Sequence, residues 1–177
     1  MPSDAHASRR QADIAKLLEL QTEFRGFVSI TRTAGNPVTS VELEIKVKTA
    51  RNSRFPEETQ VSNAVRIELP ARYPLEPPTV KITSPIYNPN VFPSGLICLG
   101  ELREHWNPTT NLALVVKWVM KILALDPTLV GHGAPANHEA AQWYSAAKHR
   151  NSAMFPTVRL DSLRASTHRT IQWRTIK

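Results

Sequence analysis

Apolar and polar residues change their period several times along the chain, and each change marks an element. From about Arg9 to Phe24 the apolar positions Ile14, Leu17, Leu18, Leu20 and Phe24 recur at helical spacing, with Arg9, Arg10 and Lys16 among the polar ones. That pattern predicts an amphipathic helix, ended by Gly26. Phe27 to Arg32 reads as a strand, followed by the turn residues Ala34-Gly35-Asn36-Pro37. Val41, Leu43, Ile45 and Val47 then alternate with Glu42, Glu44, Lys46 and Lys48. A period of two puts one face in a core and the other in water. Val61 to Leu69 repeats the alternation through Val65, Ile67 and Leu69, and the shorter Thr79 to Thr83 offers Val80 and Ile82. Short, turn-rich connections between these strands predict a four-stranded antiparallel meander.

Two irregular stretches follow from proline chemistry. Pro70, Pro74, Pro77 and Pro78 forbid helix between the last two strands, because each ring locks φ and removes an N–H donor. From Ser84 to about Thr109, Pro85, Pro89, Pro93 and Pro108 again keep the chain irregular. Loops of that length inside a compact domain tend to carry function. The strongest helical pattern comes next, with Thr110 or Asn111 as N-cap. Leu112, Val115, Val116, Val119, Ile122 and Leu123 cover most of its circumference, leaving Lys117 and Lys121 on a narrow polar face. A central, largely buried helix is expected, stopped by Asp126-Pro127. Beyond Gly131-His132-Gly133 and Pro135, a third helix is predicted from about Asn137 to His149. After Pro156 the pattern weakens, and alternation around Ile171 and Trp173 points to an extended segment. Helix, four strands, long loop, helix and helix together make an α+β plan, with helices segregated from an antiparallel sheet. The expected organisation is a flexible N-terminus (1–8), one folded domain (9–155) and a basic C-terminal extension (156–177).

Composition narrows the function classes. Hydrophobic residues make up 41% of the 177 and charged residues 21%, which excludes wholesale disorder. No apolar run approaches the ~20 residues needed to span a bilayer. Met1-Pro2-Ser3-Asp4-Ala5-His6 lacks the basic and apolar blocks of a secretory signal. The one cysteine can form neither an internal disulfide nor a thiolate-rich zinc site. A cytoplasmic protein without membrane contact, metal or cofactor is therefore expected. The net charge of +7 is unevenly placed: Lys148, Arg150, Arg159, Arg164, Arg169, Arg174 and Lys177 face only Asp161 from position 148 onward. A tail that contacts something acidic and a merely solvated end both remain open.

The single cysteine, Cys98, lies in the long loop. By composition alone it reads as a small buried hydrophobe, as most free cysteines are. Its surroundings reverse that reading. Tyr73-Pro74-Leu75-Glu76-Pro77-Pro78, Ile86-Tyr87-Asn88-Pro89-Asn90, Gly95-Leu96-Ile97-Cys98-Leu99 and Trp106-Asn107-Pro108 occur in fixed order. Asn90 to Cys98 and Cys98 to Trp106 are each eight residues apart. This set resembles the ubiquitin-conjugating enzyme family, as does Pro135-Ala136-Asn137-His138-Glu139-Ala140-Ala141 before the third helix, over residues 10–150 or so.

The resemblance implies that Cys98 accepts the C-terminal carboxyl of a ubiquitin-like modifier from an activating enzyme as a thioester. It then yields that group to an amine, usually a lysine of a protein substrate, alone or with a ligase. The chemistry suits a thiol, since the thiolate is the attacking form and a few per cent ionisation at neutral pH serves thioester exchange. Asn90 matches the asparagine that stabilises the tetrahedral oxyanion or orders the loop. Asn88, Tyr87, Trp106 and His132 are expected as loop support. Leu75, Pro108 and Thr109 match ligase-contacting loops, and Arg9, Arg10 and Lys16 fall on the helix that meets the activating enzyme. For Leu75 a plug on the sheet edge, and for the three cations a solvated helical face, explain the sequence equally well.

The chain also departs from the pattern. Asn88 stands where the family usually has histidine, and Ala134 stands where many members have an acidic residue before the proline matched by Pro135. The expectation is a diverged member that works with a ubiquitin-like modifier, bacterial relatives of the pathway included. Three rivals are defined by the same residues. They are a non-catalytic module holding a modifier or partner on this fold, a cysteine hydrolase using His105, His132 or His138, and a nucleic-acid binder using the arginine-rich end. An in-frame Cys98, the absence of any protease signature and the absence of a nucleic-acid motif argue against each in turn.

Overall fold

The computed structural model describes residues 4–165. Its elements are α1 (Asp4–Glu23), β1 (Val28–Ala34), β2 (Ser40–Ile45), β3 (Thr49–Ala50), β4 (Thr59–Gln60), β5 (Asn63–Glu68), β6 (Thr79–Ile82), α2 (Glu101–Glu104), α3 (Leu112–Leu123) and α4 (His138–Arg150). Strands β1, β2, β5 and β6 form the antiparallel meander, in that spatial order. Leu43 lies opposite Ile30 and Val65, and Ile67 lies opposite Val80. The alternating residues therefore put Val41, Leu43, Ile45, Val65, Ile67, Val80 and Ile82 on one buried face. Pairing of β3 with β4 makes a separate two-residue ribbon, too short for any sequence period to announce.

Helix α3 crosses the buried face of the sheet and supplies the centre of the core. Val115, Val116, Val119, Met120, Ile122 and Leu123 are wholly buried, together with Leu17, Leu20 and Phe24 of α1. Each such side chain stabilises the fold by about 1.5–3 kcal/mol through removal from water. Asn111 caps α3 by accepting the Leu114 N–H at 2.9 Å, and Asn137 caps α4 by accepting the Ala140 N–H at 3.0 Å. A smaller cluster of Phe55, Leu125, Val130, Tyr144, Ala147 and Phe155 packs beneath α4, with Tyr87 and Trp143 against it.

Two stretches differ from the sequence-based expectation. Helix α1 starts at Asp4, ahead of the start predicted near Arg9. The chain beyond Pro156, expected as an extension, lies against the domain as far as Ala165. There the Thr157 N–H reaches the Ala124 carbonyl at 2.8 Å, Leu163 is buried, and the Arg164 Nε meets Glu23 at 2.8 Å. Its polar residues hide this docking, because the contacts are long-range and follow no local period. Ile171 and Trp173 fall outside the described residues. Among the described residues, no helix is long and apolar enough to cross a membrane.

Candidate active site

The loop carrying Cys98 is stitched to the sheet edge. Backbone N–H groups of Ile82 and Ile97 donate to the carbonyls of Gly95 and Val80, both at 2.9 Å. Leu96 thereby lies opposite Lys81, and Ile97 opposite Val91. A glycine is needed at the bend: Gly95 has φ 84°, and a Cβ there would sit 2.3 Å from the Ile82 carbonyl oxygen. Buried Ile97 and Leu99 flank half-buried Cys98, so the thiol sits on the outward side of an otherwise anchored segment.

Asn90 lies beside it. The Cys98 N–H donates to the Asn90 carbonyl at 2.7 Å, which brings together the two residues predicted as catalytic. Among the described residues the Asn90 carboxamide makes no hydrogen bond, so its N–H donors stay available. Asn88 is buried, and both ends of its carboxamide are bonded. Its Oδ1 accepts the Asn90 N–H at 2.9 Å, and its Nδ2 donates to the Ile122 carbonyl at 2.7 Å. One acceptor and one donor of this carboxamide thus tie the loop to α3. Ala136 N–H, at the approach to α4, bonds to the Pro89 carbonyl at 2.8 Å and closes the other side of the loop.

Cys98 and Asn90 open into a groove of about 660 Å³. Its far wall includes His132, Ala134 and Pro135, and its near wall Glu101 and Glu104 of α2 with Trp118 of α3. His132 is exposed and holds the Pro127 carbonyl through Nε2 at 3.0 Å. Sequence reading missed Trp118, whose indole N–H donates to the Leu99 carbonyl at 3.0 Å and so fixes the residue next to the thiol. An apolar helix position gives no warning of that bond. Short helix α2 also went unforeseen inside the proline-rich loop. Among the described residues, no group of three or more histidine, cysteine or acidic side chains is placed to hold a metal.

The other predicted residues lie elsewhere. Tyr87 anchors the loop from behind, with its N–H on the Ala50 carbonyl at 2.8 Å and its ring 5.5 Å from that of Trp143. Burial, then the charge of Glu139, pushes its phenol pKa above the usual value. Burial, then Asp126, pushes Tyr144 on the groove floor to about 12. Trp106 donates to the Pro74 carbonyl at 2.8 Å and packs on Tyr73. That bond joins the two loops bearing Leu75, which is 53% exposed, and the exposed Pro108 and Thr109.

Of the three cations on α1, only Lys16 is free to meet a partner, with just a surface pair to Glu19 at 2.7 Å. Arg10 is 3% exposed and spends its guanidinium on the carbonyls of Val38 and Pro70, at 2.6 and 2.7 Å. Arg9 binds Asp13 and the carbonyls of Pro108 and Thr110. Arg10 is thus turned into the fold and Arg9 is tied to it while still partly exposed; sequence cannot distinguish a guanidinium facing water from one facing carbonyls. Asp13 completes the knot by accepting from the Tyr73 hydroxyl and from the Leu112 N–H at 3.2 Å. Burial and that bond to Asp13 drive the Tyr73 phenol pKa strongly upward.

Fold and site thus define an α+β domain that presents one thiol in an open groove beside an unengaged carboxamide. The family model for ubiquitin-conjugating enzymes matches residues 18–156, and the chain belongs to that family. A ubiquitin-conjugating enzyme E2 2 of Neurospora crassa is 40% identical over 73 residues, covering 41% of this chain and 46% of that protein. Ubiquitin-conjugating enzyme E2 1 of Caenorhabditis elegans is 36% identical over 92 residues, covering 50% and 46%. In each case the match spans just under half of the relative's length. Among solved structures, S. cerevisiae Ubc12 superposes with a TM-score of 0.59 at 19% identity, over 81% of this chain and 77% of that one. Human ubiquitin-conjugating enzyme E2 G1 gives 0.52 at 22% identity, over 67% and 96%. These likenesses place the fold as the ubiquitin-conjugating fold.

Proposed function

We propose that this protein is a conjugating enzyme that carries a ubiquitin-like modifier as a thioester on Cys98 and passes it to an amine, usually a lysine. The observation that supports it best is the pairing of a half-exposed Cys98 with Asn90 at the mouth of the groove. The Cys98 thiolate attacks the incoming thioester carbonyl, and the activating enzyme's thiolate leaves. A deprotonated amine then attacks the Cys98 thioester. The tetrahedral oxyanion receives an N–H from Asn90, the amine's extra proton passes to solvent, and collapse forms an amide while the Cys98 thiolate departs. In this reading Asn88 and Trp118 hold the segment still, and His132 stands in the groove where the missing carboxylate would help an acceptor lysine. Lys16 meets the activating enzyme, and Leu75, Pro108 and Thr109 offer a rigid, partly apolar surface to a ligase.

Candidate activating enzymes and modifiers with ATP would load the protein, and single-turnover discharge to free lysine would then be followed. Asn90→Ala is expected to slow discharge about 10²- to 10³-fold, the usual effect of losing one oxyanion donor. Equal discharge by wild type and Asn90→Ala would remove Asn90 from the chemistry. Normal discharge by His132→Ala would likewise remove His132.

A further inference from the structure

Around α4 and the β3–β4 loop, cations and aromatic rings are interleaved in one continuous line. The Lys48 ammonium lies 5.6 Å from the centre of the Phe55 ring. Phe55 stacks on Phe155 at 6.2 Å, Phe155 meets Tyr144 at 4.8 Å, and the Lys148 ammonium lies 5.8 Å from the centre of Tyr144. Trp143 closes against Phe55 and Phe155 and reaches Tyr87. Arg51 follows Ala50, and Arg150 lies about one turn beyond Ala147; both alanines pack in the same aromatic cluster. The Thr157 hydroxyl donates to the Lys48 carbonyl at 2.6 Å, which brings Arg159 to this side as well. Lys48, Arg51, Arg150 and Arg159 are exposed, and Lys148 is half-buried. Among the described residues these cations join no ion pair, whereas Lys117 and Arg164 share Glu23 and Arg66 takes Glu42 and Glu68. Of the acidic side chains around them, Glu58 is taken by Arg54 and Asp161 by Arg164, which leaves Glu57, Asp126 and Glu139. The dipole at the C-terminus of α4 accounts for Lys148 and Arg150, but not for Lys48, Arg51 and Arg159 on other segments.

We infer that this face docks an acidic segment of a partner protein, one that carries an apolar side chain among its carboxylates. Half-buried Tyr87, Trp143 and Met154 supply an apolar centre, and the cations supply its rim. An apolar centre inside a charged rim is the anatomy of a protein interface. A nucleic acid fits it less well. The Trp143 ring is already packed on Phe55, Phe155 and Tyr87, so it is no free platform for base stacking, and a phosphate backbone would leave the apolar centre in water. In the docked state the partner's carboxylates pair with Lys48, Arg51, Lys148 and Arg150, while its apolar side chain covers Trp143 and Met154. Charge of one sign gathered from several segments steers an acidic partner to this face and fixes its orientation there. Lys148 also lines the groove that holds Cys98, so a partner docked here is tethered at the groove's rim. The inference goes beyond the thioester reading and stands without it, because none of the docking contacts uses the thiol.

The test uses the full chain without modifier and a short fluorescent peptide in which a Leu-Phe pair is flanked on both sides by glutamates, with binding followed by anisotropy. Exchanging the peptide's Leu-Phe for serines is expected to weaken binding about tenfold, the scale of burying one apolar side chain. Exchanging its glutamates for glutamines should weaken binding about tenfold as well, and added salt should act in the same direction. Lys148→Glu with Arg150→Glu should bind the acidic peptide about tenfold more weakly than wild type. Arg25→Glu with Arg32→Glu makes the same change of net charge at exposed positions elsewhere, and should stay within about twofold of wild type. Met154→Ser should weaken the peptide while leaving its salt dependence unchanged. Thermal melts establish that each variant is folded. Absence of peptide binding, or equal losses in the two charge-reversed pairs, would overturn the inference. So would a nucleic-acid duplex that binds more tightly than the peptide and is released by the Lys148 and Arg150 reversals. Cys98→Ala should bind the peptide as wild type does, so failure of the thioester chemistry and failure of this docking surface are told apart.

Discussion

The side-chain amide of Asn88 donates to the main-chain carbonyl of Ile122 at 2.7 Å, joining the loop before the thiol to the last turn of the central helix. Because the same side chain accepts the Asn90 N–H, loss of it leaves that loop amide without its partner, whereas the Ile122 carbonyl keeps the Leu125 N–H at 3.0 Å. Asn88→Ala should lower unfolding free energy by about 1–3 kcal/mol, as one loop N–H loses its partner. Adduct formation on Cys98 should fall with it. Urea unfolding and thiol-reactivity kinetics check both; an unchanged midpoint would show that the loop is braced by other means.

Gly95 controls how closely the Cys98 arm approaches the sheet. Both its φ of 84° and the 2.3 Å gap to the Ile82 carbonyl oxygen exclude a Cβ. Gly95→Ala should destabilise the fold by about 1–3 kcal/mol through backbone strain and the displaced edge. Amide exchange of Ile82 and Ile97 should accelerate in the same variant. Wild-type protection of these two amides would contradict the stitched arrangement.

The cations of α1 separate into interior and surface roles. Arg10→Ala should cost about 2–4 kcal/mol, because the carbonyls of Val38 and Pro70 lose a charged donor in the interior. Lys16→Ala should alter stability by no more than about 0.5 kcal/mol, as its pair with Glu19 is solvated. If Lys16 contacts an activating enzyme, its effect lies in the loading rate alone. Thermal melts of the two variants side by side make the comparison.

Alkaline pH should weaken the protein through its buried phenols. Tyr144 is raised to about 12 and Tyr73 is raised strongly, both chiefly by burial. The unfolded chain ionises tyrosine near pH ~10, so each group's contribution is complete below that pH. It declines as pH climbs toward the folded value. Unfolding free energy should therefore fall from about pH 10 upward. Tyr144→Phe should flatten that decline; the same slope in wild type and variant would mean that Tyr144 ionises freely in the native state.

Much of this architecture was legible in the sequence because it is periodic. Val41 to Val47 and Val65 to Leu69 announced their strands by alternation, and Leu112 to Leu123 announced a buried helix by its apolar circumference. The motif order around Cys98 pointed to the loop and its asparagine. What stayed hidden depends on contacts distant in sequence. Arg10 looks like a surface cation until Val38 and Pro70 are folded against it. Trp118 looks like one more core residue until the Leu99 carbonyl is beside its indole. Thr157 and Leu163 sit in an aperiodic polar stretch, yet they close over α1 and α3. The departure at Asn88 became intelligible only when both ends of its carboxamide had named partners.

The central claim concerns one sulfur atom. Intact-mass analysis of a reaction containing activating enzyme, ATP and modifier, with peptide mapping under non-reducing conditions, tests it most directly. The predicted result is a single modifier adduct on Cys98 that a thiol reductant removes and that is absent from Cys98→Ala. An adduct that resists reductant and persists in Cys98→Ala would contradict the account, leaving the fold of the family without its chemistry at this thiol.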